Sequence, residues 1–543
     1  MCPKTGHTEL DQKVEEWLSW DKNKGTSNAL KRLVADSEID QLKKILLNRI
    51  SFGTAGLRGK MDVGYACMND LVIIQTAQGF LKWALLTTTV FVNAGYPVRL
   101  FSEVIPTPFI PFAVVKYKSA SGVMVTASHN PKDDNGYKVY GSNGAQIVSP
   151  ADKNIQKHIL QNLEPLETSW DIGVLTKSDL VTDPLPAVLK HYLQNIGESI
   201  LPEHKQINQK AEILFTYTAM HGVGYQYIQK GCDMIGIRIA PVLEQRDPDP
   251  EFRTIPKSEE GKSSLDLSFK TANENGSRVI IANDPDADRM AAAEKNPNTD
   301  EWKVFTGNEL GALLGWWMLH CFKIKNPTEP LSNVYMISST VSSMILRSNE
   351  VLKLQKTREE QAIGFMCSTD VLDKDGVSAA MHFATMASFL YDRGQTLVEK
   401  LEQIYEAYGQ HVSCNSYYIC HDPVKISKIF NRIRNISGEN TYPSGILNNK
   451  YQITSIRDLT TGYDSSQVNN KAVLPVSKSS QMITFNFSNG LVCTLRTSGT
   501  EPKIKYYTEY CASPHIKDKK GYRRHPKGNG RSHMPRVSST NRE

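Results

Sequence analysis

Paired cysteines are missing from this chain. Its nine cysteines, Cys2, Cys67, Cys232, Cys321, Cys367, Cys414, Cys420, Cys493 and Cys511, are odd in number, with no C-x-x-C pair and no metal-ligand spacing. That excludes a disulfide scaffold and a zinc ribbon, and reads as reduced thiols in a cytoplasmic protein. Long apolar runs are missing too. The N-terminal MCPKTGHTEL lacks the core of a signal peptide, and the most apolar stretch, Leu310 to Cys321, is broken by two glycines. It is shorter than the roughly 18 residues of a membrane span, so it is expected to be a core helix. The body also lacks net charge of either sign. The +6 of the whole chain arises after Pro514, where nine Lys/Arg face two Asp/Glu. A nucleic-acid-gripping domain is therefore not expected, and the basic tail, without interleaved aromatics, reads as a solvated end.

What is present is an ordinary soluble composition, 40% apolar and 22% charged, over 543 residues, which is long for one core. Residues 10 to 20 and 39 to 50 show helical periodicity. Between them and the middle of the chain, Val98 to Phe101 reads as a strand, Pro106-Thr107-Pro108 as a stiff turn into a helix, and Val123 to Val125 as a buried strand. Strand, helix, strand in this order predicts a parallel α/β layer.

Chemistry is concentrated where strands end. Val125 runs into Thr126-Ala127-Ser128-His129-Asn130-Pro131, which presents the Ser128 hydroxyl on a loop, with His129 beside it and Lys138 ten residues on. A polar turn punctuated by Asn130-Pro131 and Asn135-Gly136 has the same composition, so this stretch alone leaves both readings open. Arg278 to Ala282 leads into Asn283-Asp284-Pro285-Asp286-Ala287-Asp288-Arg289. Three alternating carboxylates on a turn converge on a hard cation, and a calcium loop is ruled out because its sixth and twelfth positions would be Arg289 and Lys295. The remaining alternative is a solvated acidic turn, and magnesium holding a phosphate beside Arg289 fits better because an apolar strand points three carboxylates and an arginine at one spot. Gly53 to Gly59 brackets Arg58 with glycines, a weak anion-binding signal. Thr306-Gly307-Asn308-Glu309 reads first as a capped helix start, and Arg358 to Gly364 with Leu372 to Gly376 supplies charged groups suited to sugar hydroxyls. The hairpin Ile483 to Leu495, turned by Asn489-Gly490, delivers Arg496-Thr497-Ser498-Gly499-Thr500-Glu501-Pro502-Lys503, the composition of a phosphate cradle.

T-A-S-H-N-P, D-P-D-A-D-R and R-T-S-G-T-E-P-K, in this order, resemble the α-D-phosphohexomutase superfamily. F-G-T-A-G-L-R-G, D-P-D-P-E-F and T-G-N-E-L-G-A-L-L-G-W-W point to the branch holding the phosphopentomutase type of phosphoglucomutase and glucose-1,6-bisphosphate synthase. The resemblance covers about Leu10 to Ala512. It implies a four-domain α/β architecture: three similar mixed α/β domains at 1–185, 186–305 and 306–411, an α+β domain at 412–512, and a basic tail at 513–543. It implies a monomer acting on sugar phosphates through a phosphoserine at Ser128 and a sugar bisphosphate intermediate. Mg²⁺ would lie on Ser128, Asp284, Asp286 and Asp288. Arg58, His129 and Lys138 would surround the phosphoserine, with Lys138 as proton carrier. Arg289, Glu360 and Lys374 would meet the sugar or its phosphates, and Arg496, Ser498, Gly499, Thr500 and Lys505 would hold the non-reacting phosphate.

The chain departs from that family in three places. Ala84 to Thr89 appears where a further strand and an Arg/Ser-rich loop are expected, a segment is absent between Ser348 and Glu360 with Gln361 following the acidic pair, and the tail replaces a closing amphipathic helix. These gaps leave open a shortened chain that binds sugar phosphates without turning them over, and within the enzyme class the resemblance leaves a bisphosphate synthase as the alternative to the mutase.

Overall fold

A computed structural model describes residues 4–53, 56–77, 84–255, 262–334, 336, 364–420, 422–439, 441–478, 480–498 and 503–512. Glu360, Gln361, Gly499, Thr500 and the basic tail lie outside the described residues. The chain opens with helices α1 (Thr8–Trp20), α2 (Lys24–Ala35) and α3 (Ile39–Leu46). Leu10, Val14 and Trp17, spaced for one helix face, close with Leu30, Val34, Leu42 and Ile45 into a small core of their own. The expected helix to residue 50 stops at Leu46, and α2, started by the Asn23 side chain accepting from Gly25 N–H, has no counterpart in the sequence reading.

Next come β1 (Leu57–Lys60), α4 (Asp70–Ala77), α5 (Ala84–Asn93), β2 (Val98–Arg99), α6 (Phe109–Tyr117), β3 (Ser121–Val125), β4 (Asp134–Gly141), α7 (Ala151–Gln161) and β5 (Val181–Thr182). The sheet here runs β1-β4-β3 and is antiparallel throughout. The expected parallel layer between the strand at Val98 and the Ser128 strand is therefore not formed. β2 shrinks to two residues and pairs in parallel with β5, apart from β3. The physical reason lies in β4: it follows β3 after a short loop, takes its hydrogen bonds directly, and leaves β2 to a distant partner.

The second sheet is mixed and lies among helices. After α8 (Leu185–Ser199) and α9 (Pro202–Lys210) come β6 (Leu214–Thr218), α10 (Tyr225–Ile235), β7 (Arg238–Pro241), α11 (Asp266–Asn275), β8 (Val279–Asn283), β9 (Met290–Lys295) and β10 (Trp302–Val304). The strand order is β10-β9-β8-β6-β7, with β6 parallel to β7 and β8, and β9 antiparallel to β8. Every residue of β8 is buried, which is why its sequence is a continuous apolar run and not an alternating one.

Helices α12 (Gly307–Lys325), α13 (Gly376–Tyr391) and α14 (Leu397–Tyr408) follow. Among the described residues, 306–410 hold helices and no strand, so the third mixed α/β layer expected there is not seen. α13 is instead buried from Gly376 to Leu390, and it packs on β8, β9, α9 and α10 of the second layer. A helix apolar all round has to be enclosed in this way. The Leu310 stretch is the core helix expected, α12, and Thr306 and Glu309 form a reciprocal capping box at its start. No described helix is long and apolar enough to cross a membrane.

The C-terminal sheet is antiparallel: β11 (His411–Ile419), β12 (Gly445–Ile446), β13 (Tyr451–Asp458), β14 (Tyr463–Asp464), β15 (Met482–Phe487), β16 (Leu491–Thr497) and β17 (Lys503–Cys511), in the order β11-β17-β16-β15-β13-β12 with β14 on β13. α15 (Pro423–Arg434) lays Phe430 over Ile456, Ile483 and Phe485. The β15–β16 hairpin turns at Asn489-Gly490 as read, and Gly490, at φ +87°, has no room for a Cβ, which would lie 2.5 Å from Cys511 O.

Candidate active site

β3 ends at Val125, and the backbone then turns sharply. Ser128 N–H donates to Thr126 Oγ1 (2.8 Å), and Ser128 itself sits in the left-handed region at φ +57°. Gly136 of β4 lies directly beneath, where a Cβ would come within 2.2 Å of Thr126 O. The loop can fold down only because that position is glycine, and it carries the hydroxyl of Ser128 towards the end of β8.

There the three carboxylates meet it. Ser128 Oγ donates to Asp284 Oδ2 (2.8 Å), lies 3.2 Å from His129 Nδ1, and accepts from Arg289 Nη2 at 3.2 Å. Arg289 turns back on its own loop, its Nε donating to Asp284 Oδ2 (2.7 Å) and its backbone N–H to Asp284 Oδ1 (2.9 Å), while Nη2 also reaches His129. Lys138, buried on β4, donates to Asp286 Oδ2 and Asp288 Oδ2, both at 2.8 Å. Lys374 Nζ stands 3.5 Å from Asp288 Oδ2 and 3.3 Å from Asp373 Oδ1. Three carboxylates thus face three cations.

The charges set each other's proton affinity. Burial pushes the Asp284 carboxyl up and its two neighbouring carboxylates add to that, against the pull of Arg289. For Asp286, burial acts in the same upward direction but Lys138 and Arg289 outweigh it, holding the group well below the usual carboxylate range. Burial would strip Lys138 and Arg289 of their protons, and the carboxylates reverse this, so both are raised and stay charged.

One ligand atom from each of Asp284, Asp286 and Asp288 falls within 4.8 Å of the others. Asp286 Oδ1 and Asp288 Oδ1 are buried with no hydrogen-bond partner, although Arg289 Nε stands 3.7 Å from Asp288 Oδ1, and such carboxylate oxygens are costly unless positive charge faces them. Oxygen donors in this number fit a hard divalent ion such as Mg²⁺.

The structure gives supporting roles that the sequence reading did not assign. Thr107 Oγ1 donates to Asp286 Oδ2 and Thr107 N–H to Asp286 O, both at 2.9 Å, so the Pro-Thr-Pro turn is a brace for the aspartate loop. Asn283 Nδ2 ties Arg289 O (2.7 Å) to Gly376 O (3.0 Å), and Tyr217 OH donates to Asn283 Oδ1 at 2.9 Å. A Cβ on Gly376 would fall 2.4 Å from Arg289 O and 2.8 Å from Ala287 O, so the start of α13 supports the loop from behind. Asp373 accepts from Tyr140 OH (2.7 Å) and Gln146 Nε2 (3.0 Å), which fixes the residue before Lys374.

The other predicted residues stand apart from this cluster or at its rim. Arg58, on β1, donates to Asn130 Oδ1 at 3.4 Å and so flanks the Ser128 loop. Arg496, on β16, lies opposite Lys505 of β17 and donates to Tyr507 OH at 3.4 Å, while its Nε is buried without a hydrogen-bond partner. Ser498 N–H closes the strand end on Lys503 O (2.9 Å). The cradle residues described therefore take these partners from their own sheet.

Known proteins share this arrangement of segments. The phosphoglucomutase/phosphomannomutase alpha/beta/alpha domain I matches residues 82–165, and domain II of the same description matches 190–298. Phosphopentomutase of Homo sapiens is 46% identical over 569 aligned positions, covering 93% of this chain and 92% of its own. The chain belongs to the α-D-phosphohexomutase superfamily. Within the superfamily, glucose 1,6-bisphosphate synthase of Homo sapiens is 44% identical over 95% of this chain and 92% of its own. Phosphoribomutase of Saccharomyces cerevisiae is 35% identical over 93% of each. Among solved structures, the open form of Paramecium parafusin, a phosphoglucomutase, superposes with a TM-score of 0.59 at 16% identity, over 85% of this chain and 91% of its own. A phosphoglucomutase/phosphomannomutase family protein of Burkholderia thailandensis gives 0.53 at 13% identity, over 85% and 93%. These two establish likeness of fold.

Proposed function

We propose that this chain is an intramolecular phosphotransferase, interconverting the 1-phosphate and the 5- or 6-phosphate of a pentose or hexose through a phosphoserine at Ser128 and a sugar bisphosphate. The carrying observation is the position of Ser128 Oγ, 2.8 Å from Asp284 and 3.2 Å from Arg289, at the mouth of a three-carboxylate site. Phosphoryl transfer asks for little covalent chemistry from a protein and much charge placement, and this loop pair supplies it.

Asp284, Asp286 and Asp288, with an oxygen of phosphorylated Ser128, would hold Mg²⁺. When bound, that ion would neutralise charge on the transferring group. Arg289 Nη2, already on Ser128 Oγ, would bind the same phosphoryl oxygens. In the forward step the phosphorus–Oγ bond of phosphoserine breaks and a bond to a sugar hydroxyl oxygen forms, leaving Ser128 Oγ to be rephosphorylated from the other end of the bisphosphate. Lys138 Nζ, held as an ammonium between Asp286 and Asp288, is the proposed proton carrier: it gives a proton to the departing Ser128 Oγ and is recharged by the one that the attacking sugar hydroxyl releases. Arg58 and His129 would border the phosphoserine, and on the family resemblance Lys374 and Glu360 would serve the sugar and Arg496, Ser498, Gly499, Thr500 and Lys505 the distal phosphate.

The four-domain division is part of this reading, and separate sheets in 1–185, 186–305 and the C-terminal part support three of its units. So are the skipped segments: an alignment of 569 positions on a chain of 543 residues requires gaps in this chain. Near-equal identity to phosphopentomutase and glucose 1,6-bisphosphate synthase supports the synthase as the second reading.

Incubation of the folded chain with a sugar bisphosphate and Mg²⁺, followed by intact-mass and phosphosite analysis, tests the proposal. One phosphoryl group on Ser128, absent from Ser128→Ala, is expected, with sugar-phosphate interconversion lowered at least about 10³-fold in that variant. A folded preparation that stays unmodified sinks the mutase reading and leaves binding alone. Phosphorylation of glucose 1-phosphate from 1,3-bisphosphoglycerate would favour the synthase.

A further inference from the structure

A second set of donors lies outside that site, where the edge strand β11 meets β17. The two strands pair with His411 opposite Cys511 and Ser413 opposite Glu509. Directly opposed residues share a face, as do residues two apart on one strand, so all four side chains stand on the same side of the sheet. His411 Nδ1 lies 3.6 Å from Glu509 Oε2, with side chains only 4% and 9% exposed. Cys511 Sγ donates to the same oxygen at 3.7 Å.

The buried imidazole nitrogen is the group that a metal-free cluster leaves unanswered. At 3.6 Å the imidazole nitrogen is beyond hydrogen-bonding reach, and His411 Nδ1 is buried with no hydrogen-bond partner. The three donor atoms fall within 4.8 Å of one another. Bond lengths of about 2.0–2.3 Å from zinc to nitrogen, oxygen and sulfur at tetrahedral angles put neighbouring donors about 3.3–3.7 Å apart. The nitrogen–oxygen and sulfur–oxygen separations, 3.6 and 3.7 Å, fall in that range.

We propose that His411 Nδ1, Glu509 Oε2 and Cys511 Sγ bind a zinc ion, with the fourth corner open to solvent. Mixed nitrogen, oxygen and sulfur donors select zinc over magnesium, which does not take a thiolate. On binding, the Cys511 thiol proton passes to solvent and sulfur takes the metal. The buried dication then meets one thiolate, one carboxylate and a neutral imidazole, so the centre carries no net charge. The other carboxylate oxygen is already oriented: Ser413 Oγ donates to Glu509 Oε1 (3.2 Å) and accepts from Asn308 Nδ2 (2.6 Å) in the first turn of α12. The ion would fasten the edge strand to the last described strand and, through Ser413 and Asn308, to the helical layer.

The full chain, held in excess Mg²⁺ so that the aspartate loop is occupied, is titrated with Co²⁺ and then with Zn²⁺. One Co²⁺ per chain with a sulfur-to-cobalt charge-transfer band and tetrahedral d–d absorption is expected, displaced by one equivalent of Zn²⁺. The band should vanish in Cys511→Ser, and Glu509→Gln should keep it with affinity lowered at least about tenfold. Absence of the band in the wild type, or its persistence in Cys511→Ser, overturns the proposal. Should Cys511→Ser not fold, wild-type alkylation decides: Zn²⁺ is expected to protect Cys511 from iodoacetamide in peptide maps, and equal labelling with and without Zn²⁺ overturns it.

Discussion

Lys138 shows what single residues do at the Ser128 site. It is buried on β4 and neutralises two carboxylates at once, each 2.8 Å away. Removing one partner of such a group leaves uncompensated buried charge, which costs about 3–5 kcal/mol. Lys138→Met should therefore lower stability by that order in the absence of divalent ions, as read from urea unfolding. Mg²⁺ should restore much of the loss, because a cation on Asp286 and Asp288 takes over the role of the ammonium. If Mg²⁺ shifts wild type and variant equally, the carboxylates do not share a cation. Lys138 stood out in the sequence for its nearness to Ser128, but its partners, 148 and 150 residues away, did not.

Two elements divide support of the site from support of the fold. The start of α13 presses on the carbonyls of Ala287 and Arg289, and both obstacles are backbone atoms that cannot rotate away. Gly376→Ala should cost about 1–3 kcal/mol and reduce Mg²⁺-dependent phosphorylation of Ser128, because the loop must shift to admit the methyl group. Unchanged phosphorylation and stability would show that the loop has slack. The start of α12 is different. Its Thr306 hydroxyl accepts from Glu309 N–H at 3.2 Å, and Glu309 accepts from Thr306 N–H at 2.7 Å. Thr306→Ala should destabilise by about 1 kcal/mol and leave Ser128 phosphorylation as it was. A loss of phosphorylation beyond that expected from unfolding would assign the T-G-N-E-L-G stretch to the site.

The whole molecule responds to pH through groups buried by the packing of its layers. His382, midway along α13, lies beside Ser199 Oγ at 3.0 Å, and burial draws its pKa from the ordinary 6.5 down to about 4. The folded value lies below the unfolded one, so between these pH values the unfolded chain binds more protons. The penalty for keeping His382 neutral is absent above about 6.5, grows as the pH falls, and is complete below about 4. Against His382→Gln, the wild type should lose on the order of 3 kcal/mol across that window. Denaturant midpoints at stepped pH measure it, and a gap independent of pH would sink the argument. Asp375, raised to about 6 by burial, acts in the opposite sense over its own window, which is why the paired difference is the quantity to follow.

By itself the sequence determined where chemistry is delivered: an apolar run broken by T-A-S-H-N-P, another broken by D-P-D-A-D-R, and a hairpin whose Asn-Gly turn sets its register. These are local properties, governed by side-chain burial, turn chemistry and charge along a few residues. Tertiary structure alone decided which pieces meet. It left β2 outside the Ser128 sheet, placed α13 against the second layer, and set Thr107, Asn283 and Gly376 behind the aspartate loop. It also laid His411 and Cys511 face to face across a strand pair, although their separation along the chain resembles no metal motif. Contacts of this kind are fixed by strand register and close packing between distant segments, and neither leaves a periodic trace in the sequence.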